Sequence, residues 1–239
     1  MVNILCVIPV RGGSKGIPGK NMRLVAGKPL VVWTIEQALA ANSGLDVLVS
    51  TDDEQLAQIA REAGADVPFI RPAELAQDTT PTEPVIQHAI AHRIAEGRRP
   101  DAVMLLQATS PIRLNGTLDR AVAQFEQTGV DSLIGVIAQT PFFWHPPVEE
   151  SGSATAEYDP AARPRRQELG PEDYFYKENG SLYITRTEVY EQHDNRIGGR
   201  VGLFVMDQTE EVDIDSLVDL RVAEQVLADL HSNGQEENK

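Results

Sequence analysis

The segment Arg11-Gly12-Gly13-Ser14-Lys15-Gly16-Ile17-Pro18-Gly19-Lys20-Asn21 combines cations with glycines in a way that suits phosphate. Glycine lets backbone N–H groups approach phosphate oxygens closely. Arginine can clamp a phosphate through two parallel hydrogen bonds, and lysine acts as a mobile point charge. The segment matches neither Gly-x4-Gly-Lys-Ser/Thr nor Gly-x-Gly-x-x-Gly, so the Walker A and dinucleotide-binding readings are not supported. The competing reading is a glycine-rich turn that follows a strand for geometric reasons alone. Cations inside the turn favour phosphate.

A second constellation is Asp213-Ile214-Asp215. Alternate residues of an extended segment share a face, so this tripeptide can present two carboxylates together. Oxygen ligands suit Mg2+ or Mn2+, with substrate phosphates completing the shell. A pair of solvated acids at a strand end reads the residues equally well. His88 and His92 stand four apart on a helical pattern, a spacing that can bind zinc. No HExxH pattern or third ligand accompanies them, so packing is the better reading. Asp52 closes a strand and fits either a helix N-cap or a role behind the site. No Ser-His-Asp arrangement is supported.

Charge distribution agrees with an anionic ligand. The formal net charge is −15, which argues against general affinity for nucleic acid or an anionic membrane. Residues 1–35 nevertheless carry Arg11, Lys15, Lys20, Arg23 and Lys28 and no acid, against a balance of −20 over the remaining 204 residues. Chance clustering on a solvated face is the alternative. No apolar run reaches the length of a membrane span, and the N-terminus lacks the marks of a signal peptide. The single Cys6 allows no intrachain disulfide, so a cytoplasmic setting is expected, with Cys6 buried as a small apolar residue.

The elements that must hold these groups alternate. Strands are expected at 4–10, 46–50, 67–70, 102–107, 132–138, 181–185 and 201–206. Helices are expected at 29–41, 52–63, 84–95, 118–128 and 216–230. Strand-helix alternation implies βαβ crossovers and an α/β fold with a mostly parallel sheet flanked by helices. In such sheets ligands bind beyond the carboxyl ends of the strands, where Arg11–Asn21 must lie. Residues 140–175, rich in Pro, Gly, Ser and charge, break the pattern, and 232–239 reads as a flexible tail. The aromatics Phe142, Phe143 and Trp144 in the break point to a buried contact.

IPVRGGSKGIPGKN closely resembles the signature of the CMP-sialic acid synthetase family, cytidylyltransferases that activate acylneuraminates and related nonulosonic acids. The resemblance continues through GKPLVVWTIEQAL, STDDEQLAQIAREAGA, RPAELAQDTTPT, LLQATSPIR, RRQEL, KENGSLYITR and VDIDSLVDL, in order along nearly the whole chain. Val10, Ala108 and Lys177 depart from the usual pattern and weaken any guess at the particular sugar acid.

The resemblance implies a Rossmann-like nucleotide-diphospho-sugar transferase fold over 1–139 and 176–231, a small dimerisation insertion at 140–175, and a homodimer. The implied reaction joins CTP to a 2-keto sugar acid by in-line attack of the anomeric hydroxyl on the α-phosphate, releasing pyrophosphate. No covalent enzyme intermediate is needed, so positioning and charge neutralisation carry catalysis. Two unit anions at 4 Å repel by about 4 kcal/mol at an effective dielectric of 20. Arg11, Lys15 and a metal held by Asp213 and Asp215 are the implied answer. The implied nucleotide-binding residues are Arg11, Gly12, Gly13, Ser14, Lys15, Lys20, Asn21, Arg71, Thr80 and Thr82. Gln107, Ser110, Arg166, Asn179 and Tyr183 are implied for the sugar, with Arg166 acting across the dimer. An octulosonate or phosphonate acceptor, or a nucleotide-binding module without catalysis, are the alternatives.

Overall fold

The computed structural model describes residues 2–13 and 16–236. Ser14 and Lys15 of the glycine-rich segment lie outside the described residues, as do 237–239 of the expected tail. A six-stranded mixed sheet forms the centre. Its strands are β1 (Ile4–Pro9), β2 (Asp46–Ser50), β3 (Ala102–Leu106), β4 (Ser132–Gln139), β5 (Phe175–Arg186) and β6 (Val201–Met206), in the spatial order β6-β4-β5-β3-β1-β2. β1 pairs in parallel with β2 and β3, and β6 with β4, while β5 runs antiparallel between β3 and β4. β1 is apolar and buried up to its half-buried last residue, Pro9, and β3 throughout, as strands covered on both faces must be.

Helices α1 (Leu30–Leu39), α2 (Glu54–Glu62) and α4 (Thr117–Thr128) bury apolar residues against one face of the sheet, meeting Cys6, Ile8, Val49, Met104 and Leu106. Helices α3 (Thr82–Ala95) and α5 (Thr187–His193) cover Leu5, Val7, Val103 and Leu105 on the other. Cys6 is fully buried among apolar neighbours, and burial pushes its thiol up to about 12. The final helix α6 runs Leu217–Glu236, so the backbone of 232–236 is helical where a flexible tail was expected. No helix among the described residues is long and apolar enough to cross a membrane.

Three expectations are corrected. Residues 67–70 form no strand; only an isolated bridge joins Leu48 to Asp66, because Pro68 lacks the N–H a ladder requires. Helix α2 begins at Glu54 and its cap is Asp53, whose carboxylate accepts from Leu56 N at 2.9 Å, so Asp52 is released from capping. The expected strand 181–185 is the second half of a longer β5. Pairing slips between Ile134 and Val136, opposite a bulge around Gly180, which adopts φ +71. Gly135 is required there, since a Cβ would press on Met206 Sδ at 2.9 Å and Leu182 O at 3.0 Å.

Residues 140–174 project from the sheet as a hairpin (Trp144–His145 with Thr155–Ala156) and short 3-10 turns. Phe142 packs edge-on against Tyr158 under the guanidinium of Arg163. Phe143 and Trp144 are 45% and 53% exposed, so the buried contact expected for them is not made within the chain.

A third apolar cluster decides the geometry of the site. Ile17, Val25, Leu30, Trp33, Ile112 and Ile214 pack with Ala223 and Leu227 of α6. This contact brings the segment after β1 to the Asp-Ile-Asp tripeptide.

Candidate active site

The loop after β1 starts under tight constraint. A Cβ on Gly12 would strike the Asp53 carboxylate, so only glycine passes there. Gly12 N donates to Asp52 Oδ1 at 3.3 Å, and the same oxygen accepts from Arg71 Nη2 at 3.3 Å. Arg71 Nη2 also donates to Val10 O at 2.6 Å. Asp52 therefore joins the loop to Arg71, a role behind the site. Burial pulls the Arg71 guanidinium below its usual range, and Asp52 opposes that pull. Arg11 Nη1 donates to Asp78 Oδ1 at 2.7 Å. Asn21 Nδ2 donates to Arg11 O at 3.1 Å.

Farther along the loop, Lys20 Nζ donates to Ile214 O and lies 3.5 Å from Asp215 Oδ1. A Cβ on Gly16 would stand 3.0 Å from Asp215 O. The tripeptide is pinned from three sides. Ile214 is fully buried, and Ile214 N donates to Thr109 O at 2.8 Å. Glu210, also buried, accepts from Leu114 N at 2.9 Å, Thr117 Oγ1 at 2.7 Å and Asp207 N at 2.9 Å. With Ile214 turned inward, Asp213 and Asp215 are the residues left outside the core. Asp213 Oδ1 accepts from Ser110 Oγ at 3.4 Å, while Asp215 faces Lys20.

A cavity of about 410 Å³ opens between these elements. Arg11, Lys20, Asn21, Arg71, Thr80, Thr82, Gln107 and Asp215 all line it. Eight of the expected residues thus converge from β1, the α3 N-terminus, the end of β3 and the segment before α6. Buried Asn21 Oδ1 and Arg71 Nε have no hydrogen-bond partner among the described residues. An orphaned buried polar atom costs about 1–3 kcal/mol, and at these two a ligand or water entering the cavity can supply the partner.

The expected sugar residues are placed unevenly. Gln107 lines the cavity, and its Oε1 lies against Gly180, 3.0 Å from where a Cβ would stand. Ser110 is buried. Asn179 is also buried; its Oδ1 accepts from Ser181 N at 3.1 Å and its Nδ2 donates to Glu210 O at 3.3 Å. Its side chain is engaged in holding the bulge of β5. Tyr183 donates to Glu178 Oε2 at 2.9 Å, and burial followed by Glu178 pushes its phenol up to about 12. Arg166 is exposed in the 3-10 turn Arg166–Glu168 of the projecting segment.

Two side chains given no role in the sequence analysis, although both fall inside the motifs quoted there, help to build the site. Arg113 is buried and donates to Gln107 O at 3.0 Å, Ser181 O at 2.7 Å, Thr34 Oγ1 at 3.2 Å and Gln37 Oε1 at 3.2 Å. It ties the Gln107 loop to β5, and burial lowers its guanidinium to about 10. Asp78 holds Arg11 across the cavity. His88 and His92 instead pack edge-on around Phe69, and the described residues contain no group of three His, Cys, Asp or Glu that could hold a metal. Asp213 and Asp215 supply hard oxygen donors that fit a divalent cation when substrate oxygens fill the other positions.

Residues 5–236 match the family model described as "Cytidylyltransferase". The chain is 37% identical over 226 residues to N-acylneuraminate cytidylyltransferase A of Danio rerio, covering 93% of this chain and 50% of that protein. It is 34% identical over 233 residues to CMP-N,N'-diacetyllegionaminic acid synthase of Legionella pneumophila, covering 95% and 97%. It is 32% identical to pseudaminic acid cytidylyltransferase of Campylobacter jejuni, covering 92% and 94%. The chain therefore spans about half of the zebrafish relative but nearly the full length of the bacterial ones. Among solved structures, a CMP:2-keto-3-deoxy-manno-octonic acid synthetase complexed with CTP has a TM-score of 0.66 at 18% identity, covering 95% of this chain and 99% of the other. A 4-diphosphocytidyl-2C-methyl-D-erythritol synthase has a TM-score of 0.66 at 13% identity, covering 95% and 99%. These likenesses establish the nucleotidyltransferase fold, and with the family match and the full-length bacterial relatives they lead to one assignment: this chain belongs to the cytidylyltransferase family.

Proposed function

We propose that this protein activates a nonulosonic acid with CTP, forming CMP-sugar and pyrophosphate. The carrying observation is the convergence of Arg11, Lys20 and Arg71 with Gln107 and Asp215 on one cavity. The cations meet the triphosphate with backbone donors of Gly12 and Gly13, and Ser14 and Lys15, outside the described residues, keep the nucleotide role that the family resemblance implies. Asn21, Arg71, Thr80 and Thr82 take the cytosine and ribose. Gln107 orients the sugar acid so that its anomeric oxygen faces the α-phosphate in line. Asp213 and Asp215 hold Mg2+ or Mn2+, which supplies Lewis acidity to the phosphate oxygens. Cation placement offsets the repulsion between the two anionic substrates.

The functional unit in this reading is a homodimer. Support comes from Phe143 and Trp144, which are exposed on the same projecting segment that carries Arg166. Arg166 then reaches the sugar carboxylate of the neighbouring subunit. The lone buried thiol of Cys6 suits a reducing cytoplasm. Pyrophosphate release from CTP with sialic, legionaminic, pseudaminic and deoxynonulosonic acids tests the reaction; release with none of them refutes the substrate class.

A further inference from the structure

A second cavity, of about 520 Å³, lies between α1, the segment that leads into α4, and α6. It shares no lining residue with the cavity around Arg11. Trp33, Leu118, Leu227 and Leu230 give it an apolar wall. Its polar side is built from Arg113 and the first turn of α4.

The charge of Arg113 has no local counter-charge. The side chain is 5% exposed, and its four hydrogen bonds all end on neutral oxygens, those of Gln107 O, Ser181 O, Thr34 Oγ1 and Gln37 Oε1. Its Nε has no hydrogen-bond partner and its guanidinium no ion pair among the described residues. Glu210 acts on it from nearby, but that carboxylate is engaged by Leu114 N, Thr117 Oγ1 and Asp207 N. Buried charges are ordinarily paired, because an unpaired one loses its hydration without compensation.

Helix α4 adds donors to the same side. Its N-cap is Gly116, which has no side chain to offer, and Leu118 N and Asp119 N make no hydrogen bond among the described residues. The unsatisfied amides and the helix dipole both favour an anion there. The acids that line the cavity are engaged elsewhere. Glu36 accepts from Lys28 Nζ at 2.5 Å, and Asp119 accepts from Ser43 N at 2.9 Å and Asn42 N at 3.2 Å.

This cavity is tied to the reaction cavity by hydrogen bonds. Arg113 holds the Gln107 carbonyl, and Gln37 Nε2 donates to Pro111 O at 2.8 Å. Both ends of the 107–111 turn are therefore held by side chains that line the second cavity, while Gln107 itself lines the first. A counter-charge beside the guanidinium fixes it in place and steadies that turn.

We propose that this cavity is a second ligand site, for a small organic anion (a phosphate ester or a carboxylate) with an apolar body, and that its occupancy tightens acceptor binding through Arg113. The site needs no assumption about the reaction; only its kinetic effect rests on the reaction proposed above.

Calorimetric titration of the full chain with phenyl phosphate and with phenylacetate, each with and without saturating CTP, tests the site. At least one of them binds, with an affinity that CTP leaves unchanged within about twofold. Ala40→Trp, at the exposed C-terminal end of α1 where it lines the cavity, weakens that binding at least about tenfold by filling the space. Arg113→Gln weakens it by removing the charge. Melting temperature and CTP affinity stay unchanged in Ala40→Trp, so this variant decides where Arg113→Gln does not fold. Binding of neither probe, displacement by CTP, or undiminished binding in Ala40→Trp overturns the site. In pyrophosphate-release kinetics the bound probe lowers the KM for the acceptor about fivefold at constant KM for CTP, and binding without that change overturns the coupling. Absence of release by the unmodified protein with any acceptor overturns the reaction and leaves the titrations to judge the site.

Discussion

Lys20 Nζ stands 3.5 Å from Asp215 Oδ1, so the last cation of the glycine-rich loop and the last carboxylate of the Asp-Ile-Asp tripeptide form one electrostatic unit. With the lysine 12% and the aspartate 82% exposed, the pair lets the carboxylate turn outward without moving the backbone. Asp215→Asn removes half of the proposed metal donor set and leaves Lys20 bound to Ile214 O. The metal concentration giving half-maximal pyrophosphate release should rise about tenfold or more, the response to roughly 1.4 kcal/mol of lost binding. An unchanged metal titration excludes Asp215 from the site.

Lys15 belongs to the same loop but lies outside the described residues. Lys15→Ala should lower kcat by about 10²–10³ while the melting temperature stays within a few degrees, because a charge aimed at developing negative charge acts mainly in the transition state. Near-normal turnover would refute a phosphate role.

Arg11 is held by Asp78, with side chains 32% and 47% exposed. An exposed pair of this kind is worth about 0.2–1 kcal/mol, and Asp78 competes with phosphate for the guanidinium. Asp78→Asn should therefore tighten CTP binding about two- to fivefold in calorimetry at low salt. Weaker binding would show that Asp78 shapes the cavity and does not compete.

Ile214 is the apolar pin of the tripeptide. Ile214→Ala should destabilise the fold by about 2–5 kcal/mol in urea unfolding and raise the metal requirement together with it. A stability loss without any metal effect would separate the core contact from the placement of Asp213 and Asp215.

Alkaline pH supplies a further check. The Tyr183 phenol titrates near 12 in the folded protein and near 10 when unfolded, so between those values the native state binds more protons. Stability should fall as pH rises from about 10 toward 12, by up to about 1.4 kcal/mol per pH unit for this group. In Tyr183→Phe this part of the slope disappears; an identical slope would assign the loss to other groups, Tyr190 among them, whose phenol burial also raises.

Most of the fold was readable because its signals are local. Continuous apolar runs mark β1 and β3, and 3.6-residue periodicity marks α1 and α4. The direction of β5 was not readable, since pairing partners leave no trace in a strand's own composition. The Asp52–Asp53 pair shows the same limit one residue at a time. Either acid can cap α2, and only the approach of Gly12 to Asp53 and of Arg71 to Asp52 decides which one does.

The sequence by itself determined the family and, with it, the reaction class, through cations and glycines after a first strand, two acids flanking an isoleucine, and the ordered motifs. Those depend on residue type and short spacing. Only the tertiary structure decided that Asn179 and Ser110 are buried, and that Arg113 holds the Gln107 loop. Each of these depends on contacts between distant segments, and burial of Ile17 with Ile214 in one core is what brings the glycine-rich loop and the Asp-Ile-Asp tripeptide together.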